Sequence, residues 1–105
     1  MHLSQYKIRP EMKEMTLRKL ISSREKWCQG AMARDSNGES VDETSDTAVS
    51  WCILGGINLI CGCNGMRNSN MRETVERFTG VHCIINCNDK KLWAEVDRLL
   101  DEMGI

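Results

Sequence analysis

Two short clusters hold the groups best suited to chemistry: Cys61-x-Cys63, and His82-Cys83-x-x-x-Cys87 about 20 residues further on. Tetrahedral zinc takes four sulfur or imidazole ligands, usually from two short segments. Cys61, Cys63, Cys83 and Cys87 are therefore the candidate metal ligands. Against this, Cys-x-Cys is a less usual spacing than Cys-x-x-Cys, and the flanking residues are apolar. Free cysteine is among the most commonly buried residues. The leading expectation is buried thiols with no cofactor, and zinc is the alternative. His82 with Cys83 or Cys87 would be the one nucleophile and base pair available to a small enzyme. No nucleophile elbow, phosphate loop or paired metal-binding His is present, so the balance lies against catalysis.

Trp27-Cys28 and Trp51-Cys52 repeat one dipeptide. Two indoles brought together can hold a nucleobase, or they can serve as large core residues whose N–H groups pair with carbonyls. Gly55-Gly56 interrupts an apolar segment and implies close approach by a helix, another backbone or a ligand. Asn88-Asp89 reads first as the cap of a following helix. With Asn86 and the free N–H groups of that helix, Asn88 could alternatively bind an anion. Arg34-Asp35 reads as a turn with a surface ion pair of little energetic weight. Trp27, Trp51, Gly55, Asn88 and Asp89 are the candidate ligand-binding residues, expected to lie closer in space than in sequence.

The elements that must position these groups are mostly helical. A first helix is predicted from Pro10, with Leu17, Leu20, Ile21, Arg24 and Cys28 at helical spacing. Residues 27–33 fit helix and extended chain equally well. A polar turn with Asn37-Gly38 follows. Thr44, Ser45 or Asp46 would then cap a helix running from Ala48 to Cys61. That segment is apolar on nearly every face and belongs at the centre of the fold. Asn68 or Ser69 starts a third helix carrying Met71, Val75 and Phe78 and closed by Gly80. The run from Val81 to Ile85 reads as a strand or a buried connection. A last helix carries Leu92, Val96, Leu99, Leu100 and Met103. The fold class is thus mainly α: one small domain over 1–105, about four helices around a central apolar helix, with room for one short strand or hairpin. Residues 1–9 are expected to be a flexible N-terminal segment.

Several of these elements share a pattern. Trp27-Cys28-Gln29-Gly30-Ala31, Ala33-Arg34-Asp35, Gly38, Ala48-Val49-x-Trp51-Cys52-x-x-Gly55 and Asn88-Asp89 before Glu95-Val96 stand in order. Over roughly residues 17 to 103 the chain resembles an uncharacterised family of short bacterial and phage proteins. Members often carry an aromatic before the Asn-Asp pair and Pro-Gly after it. Cys87 and Lys90-Lys91 stand there instead. The resemblance implies a helical fold and a phage or bacterial cytoplasmic setting, and it brings no activity.

Composition narrows the partners. The chain has 105 residues, is 41% hydrophobic and 28% charged, and has a net charge of -1 with its basic residues scattered. Duplex nucleic acid and anionic membrane both reward a concentrated basic patch, so neither is expected as a partner. No apolar run is long enough to cross a membrane, and the start at Met1 lacks the apolar stretch of a secretory signal. Six cysteines in that setting are expected as reduced thiols in a cytoplasmic protein. The leading functional reading is a non-enzymatic binding protein that sequesters a small molecule or blocks a host protein, for example in counter-defence; homo-oligomers are compatible with it. A zinc-stabilised interaction module and a small Cys/His enzyme are the alternatives.

Overall fold

The computed structural model describes residues 10–80 and 83–105. The expected flexible segment 1–9 and the His82 ligand or base lie outside the described residues. Among the described residues five α-helices and three very short strands follow one another as α1 (Leu17–Leu20), β1 (Ala33–Arg34), β2 (Ser40–Val41), β3 (Ser50–Trp51), α2 (Ile53–Cys61), α3 (Gly65–Thr79), α4 (Ile84–Lys90) and α5 (Trp93–Met103). The mainly helical class expected from the sequence is the class observed.

The N-terminal half is less helical than expected. Thr16 Oγ1 accepts the Lys19 N–H and starts α1, but only one turn forms. A 3-10 turn over Arg24–Lys26 follows, and then the chain is extended. The reason is competition from the sheet: the Cys28 N–H donates to the Trp51 carbonyl at 3.1 Å, a bond a continuing helix would forbid. The strands form an antiparallel sheet in the order β2-β1-β3, with Ala33 opposite both Val41 and Trp51.

The central apolar helix is present but shorter than 48–61. Thr44 to Asp46 do not cap it; Ser50 and Trp51 belong to β3, and the cap is Cys52, whose Sγ accepts the Gly55 N–H at 3.2 Å. Ile53, Ile57 and Ile60 are fully buried against Leu17, Ile21, Val75, Val96 and Leu100. Burying each such side chain contributes about 1.5–3 kcal/mol.

Helix α3 begins three or four residues before the expected caps, because Asn64 Oδ1 accepts the Arg67 N–H at 3.0 Å. It ends as expected at Gly80, whose φ of 70° suits a residue without a Cβ. Met71 and Val75 are buried, whereas Phe78 is 48% exposed and is not core. The Val81–Ile85 segment is not a strand where described, since Ile84 opens α4. Asn88 and Asp89 lie near the end of α4, so they do not cap the last helix. Leu92 holds that position, and Glu95 accepts its N–H at 3.3 Å. Val96, Leu100 and Met103 form the buried stripe of α5, with Leu92 73% exposed. Two long-range ties join α1 to α5 and the segment just beyond it. Leu17 N–H donates to the Ile105 carbonyl at 2.6 Å, and Arg18 pairs with Asp97 at 2.7 Å.

Candidate functional site

The extended chain around Trp27 and the α4 turn carrying Asn88 meet at the N-terminus of α2, and side-chain amides join the three segments. Asn88 is fully buried. Its Oδ1 accepts two donors, the Trp27 indole N–H at 2.7 Å and the Ile53 backbone N–H at 3.0 Å. Its Nδ2 donates to the Cys28 carbonyl at 3.0 Å and to Asp89 Oδ1 at 3.1 Å. An Asn amide has two donor hydrogens and one oxygen, so all of its polar capacity is used. The first N–H of α2, one of the groups a helix leaves unpaired, is capped by a residue 35 positions away.

Gln29 does the complementary work at the C-terminal end of α4. Its Nε2 lies within 2.9–3.1 Å of the carbonyls of Asn88, Asp89 and Lys91, which the helix terminus leaves open. Asp89 Oδ1 also accepts the Gly30 N–H at 3.0 Å. Sequence reasoning missed Gln29 as a functional residue, although it stands inside the Trp-Cys-Gln-Gly pattern.

The candidate ligand-binding residues are therefore largely gathered, but they form bonds to one another. Trp27 and Trp51 are joined by an isolated parallel bridge of their backbones. Their rings do different things. Trp27 tilts against Trp93 with centroids 5.9 Å apart, and the Arg18 guanidinium lies 5.9 Å from the Trp93 ring. The Trp51 indole N–H donates to the Glu43 carbonyl at 3.0 Å. Gly55 faces backbone: a Cβ there would lie 2.0 Å from the Met32 carbonyl oxygen. At Gly56 a Cβ would meet the Leu17 side chain at 2.7 Å. An anion site built on Asn86 and Asn88 has no helix N-terminus to use, since both residues lie within α4 and Asn86 is exposed. Arg34 donates to the carbonyls of Gln29 and Gly38, while Asp35 Oδ1 accepts the N–H groups of Asn37 and Glu39. The turn is as expected, and both side chains brace it through the backbone.

The four candidate zinc ligands are in unlike surroundings. Cys61 is buried with its Sγ 3.3 Å from Met71 Sδ, Cys87 is buried, and Cys63 and Cys83 are exposed. Among the described residues no three or more His, Cys, Asp or Glu side chains are grouped as a metal would need. All six cysteines are free. Burial pushes the thiols of Cys28, Cys52 and Cys61 up from their ordinary range. At Cys28, Ser50 and Arg34 pull the other way; at Cys52 the Gly55 N–H does so.

A shallow groove lies beside one of these residues, Cys83. It holds a cavity of 210 Å³ lined by Leu54, Ile84 and Ile85, with Cys83 beside them and Arg72 and Glu76 of α3 at its edge. Ile85 is 44% exposed. No helix among the described residues is long and apolar enough to cross a membrane.

A family model described as a family of unknown function (DUF6197) matches residues 16–103. No curated protein matches the chain. No solved structure matches it either.

Proposed function

The chain belongs to DUF6197, a family of unknown function, and on that premise we propose that it is a non-enzymatic binding protein that takes a protein partner in the groove between α2, α3 and α4. The observation that carries this reading is the contrast between two places. Around Asn88 every polar atom of the amide is used internally, which leaves that side chain nothing with which to recognise a small molecule. The groove presents Leu54, Ile84 and Ile85 to an incoming group. At 210 Å³ its cavity is below the ~300–1,000 Å³ of sites that enclose a drug-sized ligand. That volume suits a single apolar anchor side chain of a partner, the kind of contact that dominates protein interfaces. Arg72 and Glu76 at the edge favour an anchor flanked by one residue of each charge.

Burial of the Cys28, Cys52 and Cys61 thiols disfavours the thiolate that a nucleophile needs, which also supports a binding role over a catalytic one. The partner class, a host protein included, is settled by experiment. Tagged chain is used to capture partners from its source cells, and the captured protein is then purified and recombined with it. Ile85→Asp should abolish binding in both formats while leaving the melting curve nearly unchanged; Met66→Asp, on exposed α3 surface, should bind normally. Equal binding by Ile85→Asp and wild type would overturn the groove. A small molecule released from the purified chain on denaturation would favour sequestration instead.

A further inference from the structure

Three sulfur-bearing side chains stand on adjoining segments where the sheet meets α2, two of them in contact, and neither the clamp around Asn88 nor the groove uses their sulfurs. Trp51 is bridged on one side to Trp27 in parallel and on the other to Ala33 in antiparallel register. Side chains alternate along extended chain. Trp27, Trp51 and Ala33 therefore share one face, and their neighbours Cys28, Cys52 and Met32 share the other. Backbone bonds fix this arrangement: Cys28 N–H to the Trp51 carbonyl and Cys52 N–H to the Met32 carbonyl, each 3.1 Å. Cys52 Sγ lies 3.9 Å from Met32 Sδ. Cys28 sits one strand over on Cys52's other side, where neighbouring strands run about 4.8 Å apart. Its Sγ donates to the carbonyl of Ala31, the residue before Met32, at 3.6 Å, and a charge on it bears on the Cys52 thiol.

We propose that Cys28, Cys52 and Met32 form a binding site for a soft monovalent metal ion of the copper(I) or silver(I) class. Metal–thiolate bonds are about 2.3 Å long, so three sulfurs around one such ion stand about 4 Å apart. The Cys52–Met32 pair already has that separation. Two thiolates and a thioether select soft ions, whereas zinc prefers four harder or thiolate ligands. On binding, both thiols lose their protons to solvent and two metal–sulfur bonds form with no change in oxidation state. The bound site carries one net negative charge, which the Arg34 guanidinium acting on Cys28 favours and the Asp89 carboxylate acting on both thiols opposes. Cys28 and Cys52 are 7% and 3% exposed, so the ion would be shielded from water and from competing ligands. The groove used for partner binding is lined by other residues, and failure of either proposal leaves the other standing.

The test uses the full reduced chain under anaerobic conditions, titrated with copper(I) in competition with bicinchoninate. One equivalent should transfer to the protein, and X-ray absorption should count three sulfur neighbours. Loss of a first-sphere thiolate in Cys28→Ser should weaken binding by about a hundredfold or more. Met32→Leu keeps the volume, and it should reduce the sulfur count to two and weaken binding less. Cys63→Ser and Cys83→Ser should bind as wild type. Circular dichroism reports whether Cys28→Ser folds; if it does not, Met32→Leu decides alone. No transfer of copper from the competitor, or a sulfur count unaltered in Met32→Leu, overturns the site. So does loss of binding in Cys63→Ser or Cys83→Ser with retention in Met32→Leu.

Discussion

Asn88 shows how much one buried amide can hold. Removing a helix cap typically costs about 1 kcal/mol, and a cap is how Asn88 reads in the sequence. In the folded chain its loss strands the Trp27 indole N–H, the Ile53 N–H and the Cys28 carbonyl together. Each buried group left unpaired costs about 1–3 kcal/mol. Asn88→Ala is therefore expected to destabilise the protein by at least about 3 kcal/mol in urea melts. A loss near 1 kcal/mol would mean that water replaces the amide. Trp27→Phe removes one donor and should cost less, and in a double-mutant cycle the two changes should couple strongly. The identity of these residues was legible in the sequence through the shared pattern, as was their convergence. Their purpose was not. A side chain that caps a helix 35 residues earlier leaves no local spacing to read. Gln29 was missed for the same reason, because its three carbonyls belong to α4.

At the scale of elements, α2 was found by its unbroken apolarity, but its start was misplaced. Local rules favour Thr44, Ser45 and Asp46 as caps. Instead Asp42 Oδ1 takes the Thr44 N–H in a turn, and the chain is committed to β3 by pairing with β1. The cap became a thiol, which composition rules rank low. The paired glycines are legible and separable. Gly55→Ala drives a Cβ into the Met32 carbonyl, a rigid neighbour, so overpacking should outweigh the ~1 kcal/mol gain in helix propensity. A net loss of about 1–3 kcal/mol in thermal or urea unfolding is expected. Gly56→Ala meets the flexible end of Leu17 and should cost less. If Gly56→Ala proves the more damaging, the close approach at Gly55 is not a constraint. Ile57→Asp, with Ile57 fully buried, should abolish cooperative unfolding. Leu54→Asp should be tolerated better, because Leu54 borders the groove and is only half-buried.

For the molecule as a whole, the three perturbed thiols set a direction for stability with pH. Cys28, Cys52 and Cys61 have folded pKa values above the ordinary thiol range, chiefly through burial. The unfolded chain therefore loses these protons first, at about pH 8.5. Between that value and the higher folded values the native state binds more protons, so stability falls as pH rises. This contribution is fully present below about pH 8 and lost in alkali. Urea midpoints measured from about pH 7 to 10 should decline, and the decline should be shallower in Cys61→Ala. A midpoint that rises over that interval contradicts the burial of the thiols. The mainly helical class and the central position of α2 were legible at this scale, since both follow from composition and apolar periodicity. The small sheet was not: two-residue strands carry too little alternation to be seen.

The long reach of Asn88 also governs how the chain must acquire its shape on the ribosome. Trp27 and Ile53 emerge well before the residue that binds them both. With Asn88 standing 35 positions after Ile53, synthesis at ordinary rates imposes a delay of roughly 2–7 s. Through that interval α2 has an open N-terminus and its isoleucines have no cover from α5. The nascent chain is thus a candidate client for chaperones that hold apolar segments. A chain arrested after residue 80 should remain protease-sensitive, and one extended through α5 should become resistant in a single step.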